Sequence, residues 1–439
     1  MTKTRIRLPR PRAAAGATAL ALLLTGAALV LDDSPSPAAR SVAPQAGAPF
    51  ERLAGADLDR GVSALQTHLR AQPKDAAGWA ALGAAYVEQA RSGADPTRYP
   101  QAEKALARSL ELSPGNEVAL AGQAALAAAR HDFSGALRAA DRALRVNAYS
   151  ERALSSRVDA LVELGRYDDA LRAARTADAR RPGIPVFTRY AYVLELRGDP
   201  AGAKRVLSLA LDTATAPGDR AYTATQLGQL AWTQGRYDEA RRYFVSALDA
   251  DPTSLAALEG QARTRAAQGD VRGAVRDLEQ LVRRSPLPGA LAALGELYEA
   301  SGRRAEARAQ YDLVAVQAQL ARANGVAVDL DTAVVASDHG DPDEALRAAR
   351  AEWARRHTVH TADALAWALH RSGRSEEALR YADFAVSVGL RGAELRYHRG
   401  MILLALGDTT AGRADVRTAL RLNPHFSPLG ARAAKEALR

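Results

Sequence analysis

Residues 221–252 read AYTATQLGQLAWTQGRYDEARRYFVSALDADP, and the pattern of this stretch returns about every 34 residues on either side of it. It divides into two short helices. Leu227, Gly228 and Ala231 share one stripe of the first, and Ala240, Phe244 and Ala247 form a matching stripe on the second. Gly235 marks the turn between them. A glycine there takes the left-handed conformation that ends one helix, Asp238 and Glu239 suit the opening turn of the next, and Pro252 stops the pair. Neither helix buries its stripe alone, so the unit requires neighbours of its own kind.

Those neighbours are legible in both directions. Towards the N-terminus the first repeat opens near Ala76, with Trp79, Leu82, Gly83 and Tyr86, and closes with Ala102, Leu106 and Pro114 around an insertion at 91–100. A weaker second repeat (Leu120, Ala124, Phe133, Ala136, Ala143), a regular third (Leu154, Leu161, Gly165, Tyr167, Ala170) and a fourth (Phe187, Ala191, Gly198, Ala203) lead up to Ala221. Towards the C-terminus follow Leu258, Gly269 and Ala274, then Leu294, Gly295, Tyr298, Gly302 and Tyr311. The register loosens after Val314: the second helix of the seventh unit runs on towards Ala323, and 326–337 is a first helix without its usual aromatic. Two further units carry Leu365, Gly373 and Ala378, then Gly400, Gly407, Ala419 and Pro424. A lone helix from Leu58 to Pro73 and another from Pro428 to Leu438 are expected to cap the two ends.

Small residues at Gly228, Ala240 and Ala247, large ones at Leu227, Tyr237 and Phe244, and proline at Pro252 make each unit resemble the tetratricopeptide repeat. The resemblance runs from Leu58 to Leu438 in about ten repeats. It implies an all-α fold: a right-handed superhelical solenoid of antiparallel helix pairs, preceded by an N-terminal hydrophobic helix. It also implies an open curved row whose inner surface binds another polypeptide.

Composition agrees with stacked helices. Hydrophobic residues make up 47% of the 439-residue chain but aromatics only 5%, so the core is expected to consist of Ala, Leu and Val at close helix spacing. The absence of cysteine excludes disulfides, thiolate metal sites and thiol nucleophiles. The net charge of +9 is concentrated at one end: residues 1–40 supply +4, and the remaining +5 is spread too thinly for a phosphate-binding stripe, which argues against nucleic acid as a partner.

Residues 1–12 hold five positive charges and no acid, and Ala13 to Leu31 then run without a charge. This is the pattern of a signal peptide or signal anchor over 1–31, with the positive flank left in the cytoplasm. A small-x-small site at Thr25–Ala27 would permit cleavage, but the better-matching sites at Ser41–Ala43 and Ala46–Ala48 are each followed by proline, which favours a retained anchor. Localisation is therefore expected at the cell membrane, single-pass with an extracytoplasmic C-terminal domain, or secreted if the signal is cleaved. Residues 32–56, rich in Pro, Ala and Ser, read as a linker, and 57–438 as the solenoid with its capping helices.

In the family the stripe beside the core stripe of each first helix lines the groove. Here it carries Tyr222, Gln229 and Trp232, with Tyr192 one repeat earlier, Arg263 one repeat later, and Asp363, Trp367, His370 and Tyr397 further on. Tyrosine and tryptophan offer rigid contact area with a polar edge, the composition of binding hot spots; the alternative is that these rings pack against the next repeat. The Lys/Asn/Arg set with which some family members grip carboxylate tails is missing, since Ala80, Ala84, Ser155 and Asp159 stand there.

No phosphate loop, GxSxG elbow or HExxH motif is present. His357 and His360 have helical spacing but fall between repeats, where solvated residues are the rule. Asp341, Pro342, Asp343 and Glu344 read as a helix start and not as a calcium loop. The sequence points to a non-enzymatic interaction scaffold without cofactor or metal, holding a protein segment, or alternatively to a self-associating structural scaffold that dimerises through its end caps or the region from Val314 to Leu330.

Overall fold

The computed structural model describes residues 55–92, 96–323 and 327–439. The proposed signal and most of the linker lie outside the described residues. Among the described residues there are 22 α-helices, one 3-10 turn (Pro96–Arg98) and no strand. A capping helix α1 (Gly55–Ala71) precedes the pairs α2 (Ala76–Ser92) with α3 (Tyr99–Leu112), α4 (Glu117–Ala129) with α5 (Phe133–Val146), α6 (Glu151–Glu163) with α7 (Tyr167–Arg180), and α8 (Ile184–Leu196) with α9 (Pro200–Thr213). Then come α10 (Pro217–Thr233) with α11 (Tyr237–Ala250), α12 (Leu255–Ala267) with α13 (Val271–Arg284), and α14 (Pro288–Ala300) with α15 (Arg304–Ala323). The last pairs are α16 (Asp329–His339) with α17 (Pro342–Arg355), α18 (Val359–Arg371) with α19 (Ser375–Ser387), and α20 (Ala393–Ala405) with α21 (Thr409–Leu422), before a closing helix α22 (Pro428–Ala437). Helix α15 continues to Ala323 as its sequence indicates, and Asp341 caps α17 by accepting from the amide of Asp343.

The pair α10–α11 shows why these segments fold this way. Ala224, Leu227, Gly228 and Ala231 are buried against Ala240, Phe244 and Ala247. Gly228 and Gly260, one repeat apart, flank the ring of Phe244 so closely that an added Cβ would stand 2.7 Å and 2.3 Å from it. The small residues therefore set the distance between repeats, and Phe244, completely buried, fills the gap they leave. Gly235 has φ +70, in the left-handed region, and so turns the chain from α10 into α11.

The turns come in two chemical forms. Where aspartate follows the turn residue (Asp132, Asp199, Asp270, Asp408), its side chain accepts the amide three residues on and caps the second helix. Where arginine follows, no such cap forms, and the guanidinium instead pairs with an acid three residues on, as in Arg166–Asp169 at 2.6 Å and Arg236–Glu239 at 2.7 Å.

The expectation of an open row is corrected at the next level. The solenoid coils until one superhelical turn rests on another, joining residues some 190 positions apart. Gly165 sits against the backbone of His357, and the hydroxyl of Tyr167 accepts the amide of Val359 at 2.8 Å. Gly198 meets Gly389 in the same way. Asn423, 1% exposed, donates to the carbonyl of Trp232 at 2.9 Å and accepts from the hydroxyl of Tyr237. Buried Arg356 pairs with Glu163 across the same seam and with Glu352 on its own turn. Helix α22 reaches inward to α14, where the hydroxyl of Ser427 donates to Glu296 at 3.2 Å. Curvature is the sum of small rotations per repeat, so a periodic sequence specifies the unit without announcing that the row will meet itself.

Candidate functional site

Coiling leaves an inner space of about 1190 Å³, walled chiefly by the first helices of the repeats, from α8, α10, α12 and α14 on one superhelical turn to α16, α18 and α20 on the next, and closed by α22. Three registers recur along these first helices and supply about a third of the lining residues. Ten, six and three residues before the turn glycine, α10 presents Thr225, Gln229 and Trp232; six and three residues before it, α8 presents Tyr192 and Glu195, α14 presents Glu296 and Glu299, and α18 presents Trp367 and His370. Helical periodicity puts these positions on one face, beside the stripe that holds the repeats together.

Of the nine side chains expected to line a groove, eight lie on this wall: Tyr192, Gln229, Trp232, Arg263, Asp363, Trp367, His370 and Tyr397. Tyr222, one turn nearer the N-terminus of α10 than Thr225, is off it. The aromatics are not presented as free contact area, however. Trp232, Trp367 and Tyr397 are only 7%, 6% and 6% exposed. Trp367 donates to Asp338 at 2.9 Å and stacks on His398 with ring centres 4.2 Å apart, and the guanidinium of Arg263 lies 4.0 Å over the ring of Trp232. These rings are built into the wall because they pack against the adjacent repeats, and a ligand meets polar groups set among apolar side chains.

Much of that polar surface is acidic and ringed by protein. Burial pushes Glu195 up to about 7, against a single hydrogen bond from Thr233 at 3.2 Å. Glu394 faces the inner space, and loss of bulk water around it likewise pushes it up to about 7, with His398 opposing and Glu296 and Asp363 adding to the rise. Asp331 is raised to about 6 and Glu259 is raised, both chiefly by burial. Burial alone would lower His398, but the Asp363 carboxylate at 3.0 Å, together with Glu394 and Asp338, outweighs it and holds it up. His360 and His370 go the other way, lowered by burial.

His360 also departs from expectation in its position. Only His357 belongs to the loop between repeats; His360 opens α18 and faces the inner space, 3.3 Å from the hydroxyl of Tyr192. Among the described residues no group of three or more His, Asp or Glu is arranged to hold a metal ion. The sequence reading passed over Glu296 and Glu299, although both stand in the registers already identified on α10, and Asp331, Asp338 and Glu394, which do not. Nothing periodic marks those three, since α16 is the irregular first helix and Glu394 lies in the opening turn of α20.

The architecture is thus a helical-repeat solenoid around an inner space whose wall carries acidic groups among apolar ones. The family model for the tetratricopeptide repeat matches residues 225–271, 259–323 and 364–425. No curated protein matches the sequence. Solved structures to which it is similar include a tetratricopeptide repeat protein from Parabacteroides merdae, 21% identical over 58% of this chain and 97% of that one with a TM-score of 0.34. Yeast Tom70 is 15% identical over 87% and 92%, with a TM-score of 0.36. A human IFIT1 dimer with m7Gppp-AAAA is 14% identical over 76% and 86%, with a TM-score of 0.46. Among the described residues no helix is long and apolar enough to cross a membrane.

Proposed function

We propose that this protein is a non-enzymatic interaction scaffold that holds a polypeptide segment inside its superhelix. The observation that carries this reading is the convergence of successive first helices, through three repeating registers, on one inner space of about 1190 Å³. That exceeds the roughly 300–1,000 Å³ of pockets for small ligands. Chains with this repeat generally serve as protein-binding scaffolds, which supports the same conclusion. A photo-crosslinking residue at Gln229, on the inner wall, is expected to capture a polypeptide in intact cells, whereas one at the exposed Arg241 captures none. Equal capture at both positions, or none at either, rejects the reading.

The five cations of residues 1–12 and the uncharged run to Leu31 support a single membrane anchor with the solenoid on the extracytoplasmic side. Protease added to intact cells should then digest the solenoid, and protection until lysis would overturn that placement.

One observation favours self-association as a second reading. On α15, Leu313, Val316 and Leu320 are exposed at spacings of three and four, an apolar stripe within the region where the repeat register loosens. A sedimentation coefficient independent of concentration would dismiss it.

A further inference from the structure

The inner space reverses the charge balance of the chain that encloses it. Over the whole sequence, basic residues outnumber acidic ones 59 to 50. On the cavity wall, ten carboxylates stand against five arginines and no lysine. Three of those arginines are already engaged. Arg356 lies between Glu163 and Glu352, Arg371 donates to the carbonyl of Ser337 at 2.9 Å, and Arg263 covers Trp232. By contrast Glu195, Glu259, Asp331 and Glu394 have no ion-pair partner among the described residues. They belong to α8, α12, α16 and α20, so they confront the space from both superhelical turns. Low-dielectric walls concentrate such a field on whatever occupies the interior.

Two buried atoms on the same wall, one of them on Asp331 itself, lack hydrogen-bond partners. Trp232 is more than nine-tenths buried and its Nε1–H meets no acceptor; Oδ1 of Asp331 is buried and meets no donor. A buried polar atom without a partner is unfavourable, and a ligand that supplies the missing partner removes that cost. An amide carbonyl completes the first and a cationic N–H the second. Small amines offer no carbonyl, and polyanions meet like charge.

Resting on the reading that the space holds a polypeptide, the geometry points to a segment rich in lysine or arginine as its occupant. Its basic side chains match the four unpaired carboxylates, and a backbone carbonyl matches the indole of Trp232.

The test uses the full-length protein and two dye-labelled octapeptides, one alternating lysine with alanine and the other glutamate with alanine. The lysine peptide should bind and the glutamate peptide should not. The double variant Glu259→Gln/Glu394→Gln should weaken lysine-peptide binding at least tenfold. It removes charge from a partly desolvated site, so it should not harm the fold. Glu103→Gln/Glu306→Gln, on the outer surface, should leave binding unchanged. Preference for the glutamate peptide, no effect of the inner pair, or an equal effect of the outer pair overturns the inference. The crosslinker at Gln229 separates the two levels. Captured segments with no excess of Lys and Arg sink the charge argument while the polypeptide reading stands, and no capture sinks both.

Discussion

Replacing Gly165 by alanine asks directly whether the superhelical turns meet. Gly165 has φ +72, and Gly302, at the equivalent turn of a later repeat, has φ +79. Placing any L-residue in this left-handed region costs about 1–2 kcal/mol. Restricting the unfolded chain returns about 0.4–1 kcal/mol of that. Both substitutions bear this cost alike, but their surroundings differ. Around Gly302 an added Cβ meets nothing within 4 Å; at Gly165 it would stand 2.1 Å from the carbonyl oxygen of His357. Relieving such a collision in a packed structure costs about 1–3 kcal/mol more. Gly302→Ala should therefore cost about 1 kcal/mol and Gly165→Ala about 2–4 kcal/mol. Gly198→Ala should fall between them, because its Cβ would lie 2.7 Å from the carbonyl of Gly389. Denaturation midpoints order the variants, and small-angle scattering reads the coil itself, since Gly165→Ala should enlarge the radius of gyration and Gly302→Ala should not. Hydrogen exchange at the amide of Val359, which donates to Tyr167 across the seam, should accelerate only in the former. If Gly165→Ala and Gly302→Ala are indistinguishable in stability and radius, the turns do not touch in solution and the enclosed space does not exist.

Three other expectations follow from single side chains. Phe244→Ala should cost about 3–5 kcal/mol, because the ring is completely buried between Gly228 and Gly260, which cannot close on the void; a loss under 1 kcal/mol in chemical denaturation would contradict that packing. Arg356→Ala should cost about 3–5 kcal/mol by stranding Glu163 and Glu352, and Arg356→Lys should recover only part of it; a thermally neutral Arg356→Ala would show that this ion cluster is not buried. For pH, Glu195 and Glu394 are raised to about 7 from the ordinary 4.5 and so bind a proton more tightly folded than unfolded; their ionisation penalises the fold progressively from pH 4.5 to 7. Glu195→Gln/Glu394→Gln should thus raise the melting temperature at pH 8 and leave it near that of the parent at pH 5; if the two groups were freely solvated, differential scanning calorimetry would show no pH-dependent difference between variant and parent. His360 and His370, lowered by burial, push stability the other way below about 6.5, which is why the comparison is made between variant and parent at each pH.

The repeat unit was legible because its signals are local and redundant: the turn at Gly235, the stripe through Leu227 and Ala231, and the gap that Phe244 fills all lie within one 32-residue stretch. The face of the site was legible for the same reason, since the sixth position before each turn glycine gives Gln229, Arg263 and Trp367 by counting alone. What the sequence hid was global. Asn423 looks like an ordinary helix-terminal residue, and only the summed rotation of the repeats brings it to Trp232 and Tyr237. That same closure converted Trp232 and Trp367 from apparent contact surface into wall, and it brought Asp331 and Glu394, which no register marks, to the same inner space as Glu259.

The joints between superhelical turns also bear on time. A segment lying within cannot slip out sideways past Asn423, Arg356 and the backbone at Gly165; it either slides lengthwise or waits for those joints to part. Its departure rate is then governed by how often the coil loosens, so variants that loosen the joints should shorten the lifetime of the complex even where every residue lining the interior is intact.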